Sequence, residues 1–337
     1  MRRDLPLSHL LPPVKLESSN PWLRFSSGSR RRSYLPLTNR VYVPIPDRDG
    51  YARVRGKRLY YRRVGRSARG TVLVLHGGPG STHEYLTPLA DLVGAGFELI
   101  FYDQLGCGRS ERPITYRDYT IAANADDAEV LRRRLKLGRV HLYGHSYGGA
   151  LALEAAVRYP RAWTSVVVAS GFASMRALWR ARRRRVSQLS PANRRAWLRF
   201  ERTGVSTAAS ARAAEEFRRR FSEHSVNRPY EVWLSFAHLN PRVLDAMGFR
   251  APRIYDEGFQ QGTMAGWDIT PKLSRLRMPM LITSGQFDHV TPACAREIHR
   301  LVPHSRLEVA RGVGHQPFFE IRDRYISLLK DFFEKAN

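Results

Sequence analysis

The sequence has 337 residues, of which 43% are hydrophobic, so it can bury a large globular core. Its formal net charge is +26, and the basic excess lies in residues 1–70 and 171–275, whereas residues 71–170 carry 10 basic and 10 acidic side chains. The basic runs come without a recognition helix or reading aromatics, which argues against a dedicated nucleic-acid-binding protein. No window approaches eighteen consecutive apolar residues, so no membrane span is expected.

The first segment of the chain and the two cysteines indicate where the protein works. Residues 1–40 mix Pro, Ser and Arg without periodicity, which predicts a poorly ordered basic extension. The opening MRRDLPLSHLLPP lacks the apolar stretch of a signal peptide, so we expect a cytoplasmic protein. Cys107 and Cys294 are too few for a disulfide framework and have no metal-ligand spacing, so both are expected to be free thiols.

Strand and helix patterns alternate along most of the chain. YARVRGKRLYYRRVG at 51–65 alternates around a Gly-Lys turn and predicts a β-hairpin. Apolar runs then predict strands at 71–76, 97–103, 139–145, 163–170, 279–285 and 306–310. Helical patterns separate these strands, which predicts βαβ units and a mostly parallel sheet with helices on both faces. Between 171 and 275 the helical spacing continues without a strand, so this segment is expected to be a helical insertion.

A candidate nucleophile lies where one of these strands ends. Gly144-His145-Ser146-Tyr147-Gly148 follows the strand at 139–143 and precedes an amphipathic helical pattern. G-x-S-x-G between a strand and a helix is typical of a nucleophile elbow, a tight turn that exposes the serine hydroxyl. The pattern therefore predicts Ser146 as a nucleophile.

A serine hydroxyl needs a base to take its proton and an acid to orient that base. Asp288 follows the strand at 279–285, and His315 follows the next strand, in the chain order Ser, Asp, His of this kind of fold. Among the other histidines, His76, His83 and His145 precede or adjoin the serine, and His299 and His304 lie on or beside a helix. We therefore predict Asp288 as the acid and His315 as the base.

Acyl transfer through a serine also needs two backbone N–H donors for the oxyanion. Tyr147, the residue after the nucleophile, is expected to supply one. The glycine-rich loop HGGPG at 76–80, directly after the strand at 71–76, can supply the other, because glycines let the backbone turn its N–H towards the substrate. Gly78 is the predicted donor, with Gly77 as the alternative.

Five segments together resemble one family. They are HGGPG at 76–80, FYDQLGCGRS at 101–110, GHSYGGALAL at 144–153, GQFDHVTP at 285–292 and GVGHQPFFE at 312–320. These segments are similar to the α/β-hydrolase proline iminopeptidases and the tricorn-interacting aminopeptidase factor, serine peptidases that remove single N-terminal residues. The resemblance, over about residues 50 to 335, implies the triad Ser146, Asp288 and His315, with oxyanion donors at Gly78 and Tyr147. It implies an α/β-hydrolase core at 41–170 and 276–337, with 171–275 as a helical cap over the site.

The caps of this family also hold glutamates that bind the α-ammonium group of the substrate. YDEGFQQGTMAGWDIT at 255–270 resembles the relevant family stretch, and by that register Glu257 is the match. A second glutamate is expected earlier in the cap, where Glu216 and Glu223 are both candidates. The cap departs from the Trp-rich pattern of some members, which leaves the preference for proline open.

The sequence therefore predicts a serine aminopeptidase acting on small peptides or aminoacyl amides, without a nucleic-acid or membrane partner. A carboxylesterase or amidase with the same triad is the main alternative, because a fold does not determine its substrate. Ser146 disfavours an epoxide hydrolase or dehalogenase, which use an aspartate at the elbow. Without H-E-x-x-H, a Cys/His cluster or a dinucleotide-binding glycine motif, no metal or cofactor is expected.

Overall fold

The computed structural model describes residues 48–224, 226, 229–249 and 262–336. The predicted extension at residues 1–40 and the candidate Glu257 lie outside these ranges.

One eight-stranded sheet forms the centre of the molecule. Its strands are β1 (Arg48–Val54), β2 (Lys57–Val64), β3 (Gly70–Leu75), β4 (Phe97–Tyr102), β5 (Val140–His145), β6 (Trp163–Ala169), β7 (Met280–Gly285) and β8 (Ser305–Ala310). The order across the sheet is β1-β2-β4-β3-β5-β6-β7-β8, with β1 and β2 antiparallel to their neighbours and the remaining pairs parallel. The six strands predicted from apolar runs are confirmed to within one residue at each end.

The predicted hairpin is also present, as the pair β1 and β2. Its turn consists of Arg55 and Gly56, both with positive φ (45° and 81°), so the turn lies one residue before the Gly-Lys position read from the sequence. Two positive φ values in a two-residue turn match the right-handed twist of the flanking strands.

Helices cover both faces of the sheet. They are α1 (Ile121–Arg134), α2 (Tyr147–Arg158), α3 (Met175–Val186), α4 (Pro191–Thr203), α5 (Ala208–Phe221), α6 (Tyr230–Ala237), α7 (Pro241–Met247), α8 (Pro292–Leu301), α9 (Pro317–Glu320) and α10 (Arg322–Lys335). A further 3₁₀ segment spans Glu84–Ala95. Along β3, Val72 and Val74 pack into one apolar cluster, whereas Leu73 and Leu75 pack into the other, as the alternation of a strand requires.

Helices α3 to α7 lie in the chain between β6 and β7. Within the described part of this insertion the one β interaction is an isolated bridge between Ser174 and Asp268. Among the described residues, no helix is both long and apolar enough to cross a lipid bilayer. Because β3, β5, β6, β7 and β8 are parallel, the loops at their carboxyl ends share one edge of the sheet, which is where open sheets of this type bind ligands.

Candidate active site

Ser146 occupies a strained turn between β5 and α2. Its φ and ψ are 59° and −121°, outside the regions that residues other than glycine adopt at low cost. Its N–H donates to the carbonyl of Ala169 at 2.8 Å, and the residue is partly exposed while both its neighbours are buried. The turn therefore exposes Ser146 between two buried residues.

The glycines beside Ser146 are required by close backbone approaches. A Cβ on Gly144 would lie 2.0 Å from the carbonyl oxygen of Gly148, and a Cβ on Gly148 would lie 2.2 Å from that of Leu75. Both distances are far inside van der Waals contact, and the neighbouring atoms are backbone. The G-x-S-x-G pattern thus reflects how tightly α2 begins against β3 and β5.

Asp288 and His315 are brought together by the loops after β7 and β8. Nδ1 of His315 lies 2.7 Å from Oδ1 of Asp288, and the N–H of Val290 donates to the same oxygen at 2.7 Å. Asp288 is 0% exposed and His315 is 6% exposed. Since an ionised carboxylate only accepts, Nδ1 of His315 is the donor in this pair, which leaves Nε2 as the basic nitrogen.

Burial governs the protonation of this pair. It lowers the pKa of His315, which is therefore a neutral imidazole at neutral pH. Burial raises the pKa of Asp288, against the opposing effects of the Val290 N–H and the Arg185 cation. Both shifts disfavour separated charges at this buried pair, so an imidazolium at His315 needs the carboxylate and a developing oxyanion to stabilise it.

The glycine-rich loop after β3 approaches Ser146. A Cβ on Gly77 would lie 3.0 Å from Cβ of Ser146. The N–H of Gly77 donates to the Tyr85 hydroxyl at 2.6 Å. Among the described residues, the N–H groups of Gly78 and Tyr147 make no hydrogen bond, so these two donors remain available to an oxyanion. The engaged N–H of Gly77 favours Gly78 over Gly77 as the loop donor.

The peptide unit that carries the Gly78 N–H is held by His76. The backbone N–H of Gln104 donates to Nε2 of His76 at 3.0 Å, so the proton of this neutral ring lies on Nδ1. Nδ1 lies 2.9 Å from the carbonyl oxygen of Gly77 and donates to it. His76 and Gln104, from two of the recognised segments, thereby orient the Gly77–Gly78 peptide.

Asp103 of the segment FYDQLGCGRS links that segment to His83, which follows the glycine-rich loop. This carboxylate is fully buried and lies 2.7 Å from Nδ1 of His83, and the N–H of Arg109 donates to it at 2.9 Å. Burial opposes its ionisation, but the charge and hydrogen bond of His83 lower the pKa of Asp103 to about 2. A Cβ on Gly108 would lie 2.2 Å from Oδ2 of Asp103, which explains the glycine at that position.

The structure separates the two candidate glutamates that the sequence left equivalent. Glu216 accepts hydrogen bonds from the N–H and hydroxyl of Ser190 at 2.9 and 2.8 Å and from Asn193 at 2.7 Å. These bonds, with Arg220, outweigh the effect of burial and lower the pKa of Glu216 to about 2. Its carboxylate therefore holds the start of α4 against α5.

Glu223 lies beside the loop that carries His315. It is 3% exposed and forms an ion pair with Arg218. The preceding residue, Ser222, accepts the N–H of His315 at 2.9 Å through its carbonyl. Of the two candidates, Glu223 is the one whose backbone adjoins the candidate base.

Arg185 of α3 is a site residue that sequence reasoning missed. Its Nε donates to the carbonyl of Asp288 at 2.9 Å, and its terminal NH2 donates to that of Gln286 at 2.8 Å. Its guanidinium carbon lies 4.9 Å from the ring centroid of Phe221, and the residue is 8% exposed. The sequence RARRRR reads as a solvated charge run, and no local signal distinguishes the arginine that contacts this loop.

Two clusters of described residues have the ligand spacing of a metal site: Asp288, His289 and His315, and His83, Glu84 and Asp103. In each cluster one histidine Nδ1 already lies 2.7 Å from the aspartate. These hydrogen bonds account for the clustering, and the expectation of metal-independent chemistry stays a prediction.

Comparison with known proteins identifies the family. The family model described as alpha/beta hydrolase fold matches residues 70–320. A proline iminopeptidase of Saccharolobus solfataricus is 34% identical over 310 residues, covering 90% of this chain and 97% of the relative. The crystal structure of VinJ superposes with a TM-score of 0.81 at 29% identity over 87% of this chain and 100% of that one. The crystal structure of a Mycobacterium smegmatis proline iminopeptidase has a TM-score of 0.78 at 26% identity over 86% and 98%. The chain therefore belongs to the proline iminopeptidase family of the α/β hydrolases.

Proposed function

We propose that this chain is a serine aminopeptidase that releases the N-terminal residue of short peptides or aminoacyl amides. The observation that carries the proposal is the 2.7 Å contact between Nδ1 of His315 and Oδ1 of Asp288, at the edge of the sheet where the strained turn presents Ser146. Family membership supplies the class of reaction, because relatives over most of the chain are named proline iminopeptidases.

The proposed mechanism follows from the donors and acceptors of the site. Ser146 Oγ attacks the scissile carbonyl while Nε2 of His315 takes its proton, and Asp288 stabilises the imidazolium. The N–H groups of Gly78 and Tyr147 bind the oxyanion. His315 then protonates the leaving amine, and a water activated by the same Nε2 hydrolyses the acyl-enzyme.

Replacing the nucleophile tests this assignment directly. Ser146→Ala should abolish turnover and covalent labelling by a fluorophosphonate, and Asp288→Asn or His315→Ala should cost roughly 10⁴-fold in kcat. Ser284→Ala is the matched control, because Ser284 is a buried serine of β7 at the same end of the sheet. Retained labelling in Ser146→Ala would refute the proposed nucleophile.

Recognition of the α-ammonium group distinguishes an aminopeptidase from an esterase. We assign this role to Glu257, by its match to the family, and to Glu223, which adjoins the His315 loop and is buried. A cation entering a desolvated pocket needs a fixed carboxylate, and removing one partner of such a pair typically costs about 2–5 kcal/mol.

The test is whether the loss of activity is confined to substrates with a free amine. Glu257→Gln and Glu223→Gln should sharply reduce cleavage of aminoacyl-naphthylamides with a free amine and leave hydrolysis of p-nitrophenyl acetate nearly unchanged. Glu216→Gln is the control. Because the Glu216 carboxylate holds the start of α4, this substitution should change the hydrolysis of both substrates by the same factor. Equal losses on both substrates in the first two variants would indicate structural damage, as in the control, whereas no loss on either substrate would favour the carboxylesterase or amidase alternative. A panel of aminoacyl amides then determines whether proline is preferred.

The same proposal includes a cytoplasmic location. Cys107 and Cys294 are both buried and unpaired, as is usual in a reducing compartment. Burial raises the pKa of each thiol, which protects both from reaction. Fractionation of the producing cell, with the peptide-hydrolysing activity followed, tests this location.

A further inference from the structure

We propose that Tyr85 and His145 form a positioning relay that fixes the oxyanion loop, the elbow and the loop of His315 relative to one another. The proposal rests on the catalytic roles assigned above and adds two residues that touch none of the reacting atoms. The relay is a continuous chain of three hydrogen bonds, from the backbone of Gly77 through both side chains to the backbone of His315.

The distances define the chain. The N–H of Gly77 donates to the Tyr85 hydroxyl at 2.6 Å, and that hydroxyl lies 2.9 Å from Nδ1 of His145. Nε2 of His145 lies 2.8 Å from the carbonyl oxygen of His315. The hydroxyl of Tyr85 therefore joins the loop after β3 to the elbow, and the imidazole of His145 joins the elbow to the loop after β8.

The donor and acceptor of each hydrogen bond follow from the groups at the two ends of the chain, a backbone N–H and a backbone carbonyl. The carbonyl of His315 only accepts, so Nε2 of His145 must carry a proton. Burial keeps the pKa of His145 well below 6.5, so the ring is neutral and its Nδ1 is an acceptor. The Tyr85 hydroxyl must then donate to Nδ1 while it accepts from Gly77. A protonated His145 would leave the hydroxyl hydrogen of Tyr85 without this acceptor, so the relay requires one tautomer.

Packing holds both rings in place. The ring centroid of His145 lies 5.4 Å from that of Tyr85, and both contact Phe318 of α9, at 5.0 and 5.9 Å. His145 is 1% exposed and Tyr85 is 6% exposed. The backbone N–H of Tyr85 also donates to the hydroxyl of Ser235 in α6 at 3.0 Å, which ties the relay to the inserted helices.

The relay connects the parts whose relative positions determine the rate. Gly77 precedes the proposed oxyanion donor Gly78, and His145 precedes the proposed nucleophile Ser146. The chain of hydrogen bonds ends at the backbone carbonyl of the proposed base, His315. A displacement of about 1 Å between reacting groups can cost about 100-fold in rate. The three loops come from distant parts of the chain, so hydrogen bonds made by side chains are needed to fix their relative positions.

A double-mutant cycle tests the relay. Tyr85→Phe and His145→Phe should each lower kcat by roughly 10- to 100-fold with KM nearly unchanged. The double variant should lose no more than the larger single loss, since either change breaks the same chain. Tyr325→Phe is the matched control: it removes a buried hydroxyl from the same apolar cluster, bonded to Tyr143 at 3.2 Å and outside the relay. It should leave kcat unchanged.

A conservative variant and a spectroscopic readout separate positioning from structural damage. His145→Gln can accept from Tyr85 and donate to His315 through one amide, so it should recover most of the activity that His145→Phe loses. In ¹⁵N spectra of the wild type, His145 should be the neutral tautomer protonated on Nε2, and Tyr85→Phe should shift its Nδ1 resonance. This readout needs no turnover, so it holds even if the proposed activity fails. Additive losses in the double variant, or an Nδ1-protonated His145, would refute the relay.

Discussion

The contact between Arg185 of α3 and the loop after β7 predicts a coupled loss of stability and activity. In Arg185→Met, the carbonyls of Gln286 and Asp288 lose donors that now lie at 2.8 and 2.9 Å. Hydrogen bonds to a charged group are worth about 1.5–3 kcal/mol each, so the two contribute about 3–6 kcal/mol. Ordering an arginine side chain costs up to about 2 kcal/mol. We therefore expect Arg185→Met to lower the free energy of unfolding by about 1–4 kcal/mol.

Urea denaturation measures this change as a lower midpoint at an unchanged slope. Because the loop carries Asp288, kcat should fall as well, with KM less affected. Arg185→Lys should be intermediate, since an ammonium cannot reproduce the planar geometry that reaches both carbonyls. The matched control is Arg184→Met, which changes an exposed arginine of the same helix and should alter stability by less than about 0.5 kcal/mol. An Arg185→Met variant as stable as that control would refute the reasoning.

The remaining predictions concern pH, metals and the extension. The base works only when unprotonated, so the lowered pKa of His315 should place the acid limb of the kcat/KM profile below pH 6.5, and a limb above that value would contradict its burial. EDTA should leave activity unchanged, and a loss that zinc restores would overturn the serine mechanism. A protein that begins near residue 41 should keep its kcat/KM on small amides, and a collapse in a well-folded truncation would mean that residues 1–40 reach the active site.

Much of this architecture could be predicted from local sequence patterns, because it depends on the burial of single strands and on contacts within short segments. Strands buried on both faces produce apolar runs, which is why the strand at 163–170 was predicted to within one residue of β6. The elbow is readable because its glycines are dictated by contacts inside a short segment, as at Gly144 and Gly148.

Other features depend on pairings that no local pattern encodes. Glu216 and Glu223 have the same side chain in the same helical region, and only packing shows that one holds α4 while the other adjoins the His315 loop. Arg185 meets a loop 103 residues away, so its run of arginines could not reveal it. The Tyr85 hydroxyl likewise meets His145, which lies 60 residues further along the chain.

The position of β7 and β8 in the chain sets when the site can first work. Ser146 and the loop at 76–80 belong to strands that are synthesised early, whereas Asp288 and His315 follow the last two strands of the sheet. Translation proceeds from the N-terminus, so a chain whose last strands are not yet synthesised holds the proposed nucleophile without the proposed base. If the proposed triad is correct, hydrolytic activity can appear only after synthesis has passed β8, and a product terminated before that point should be inert.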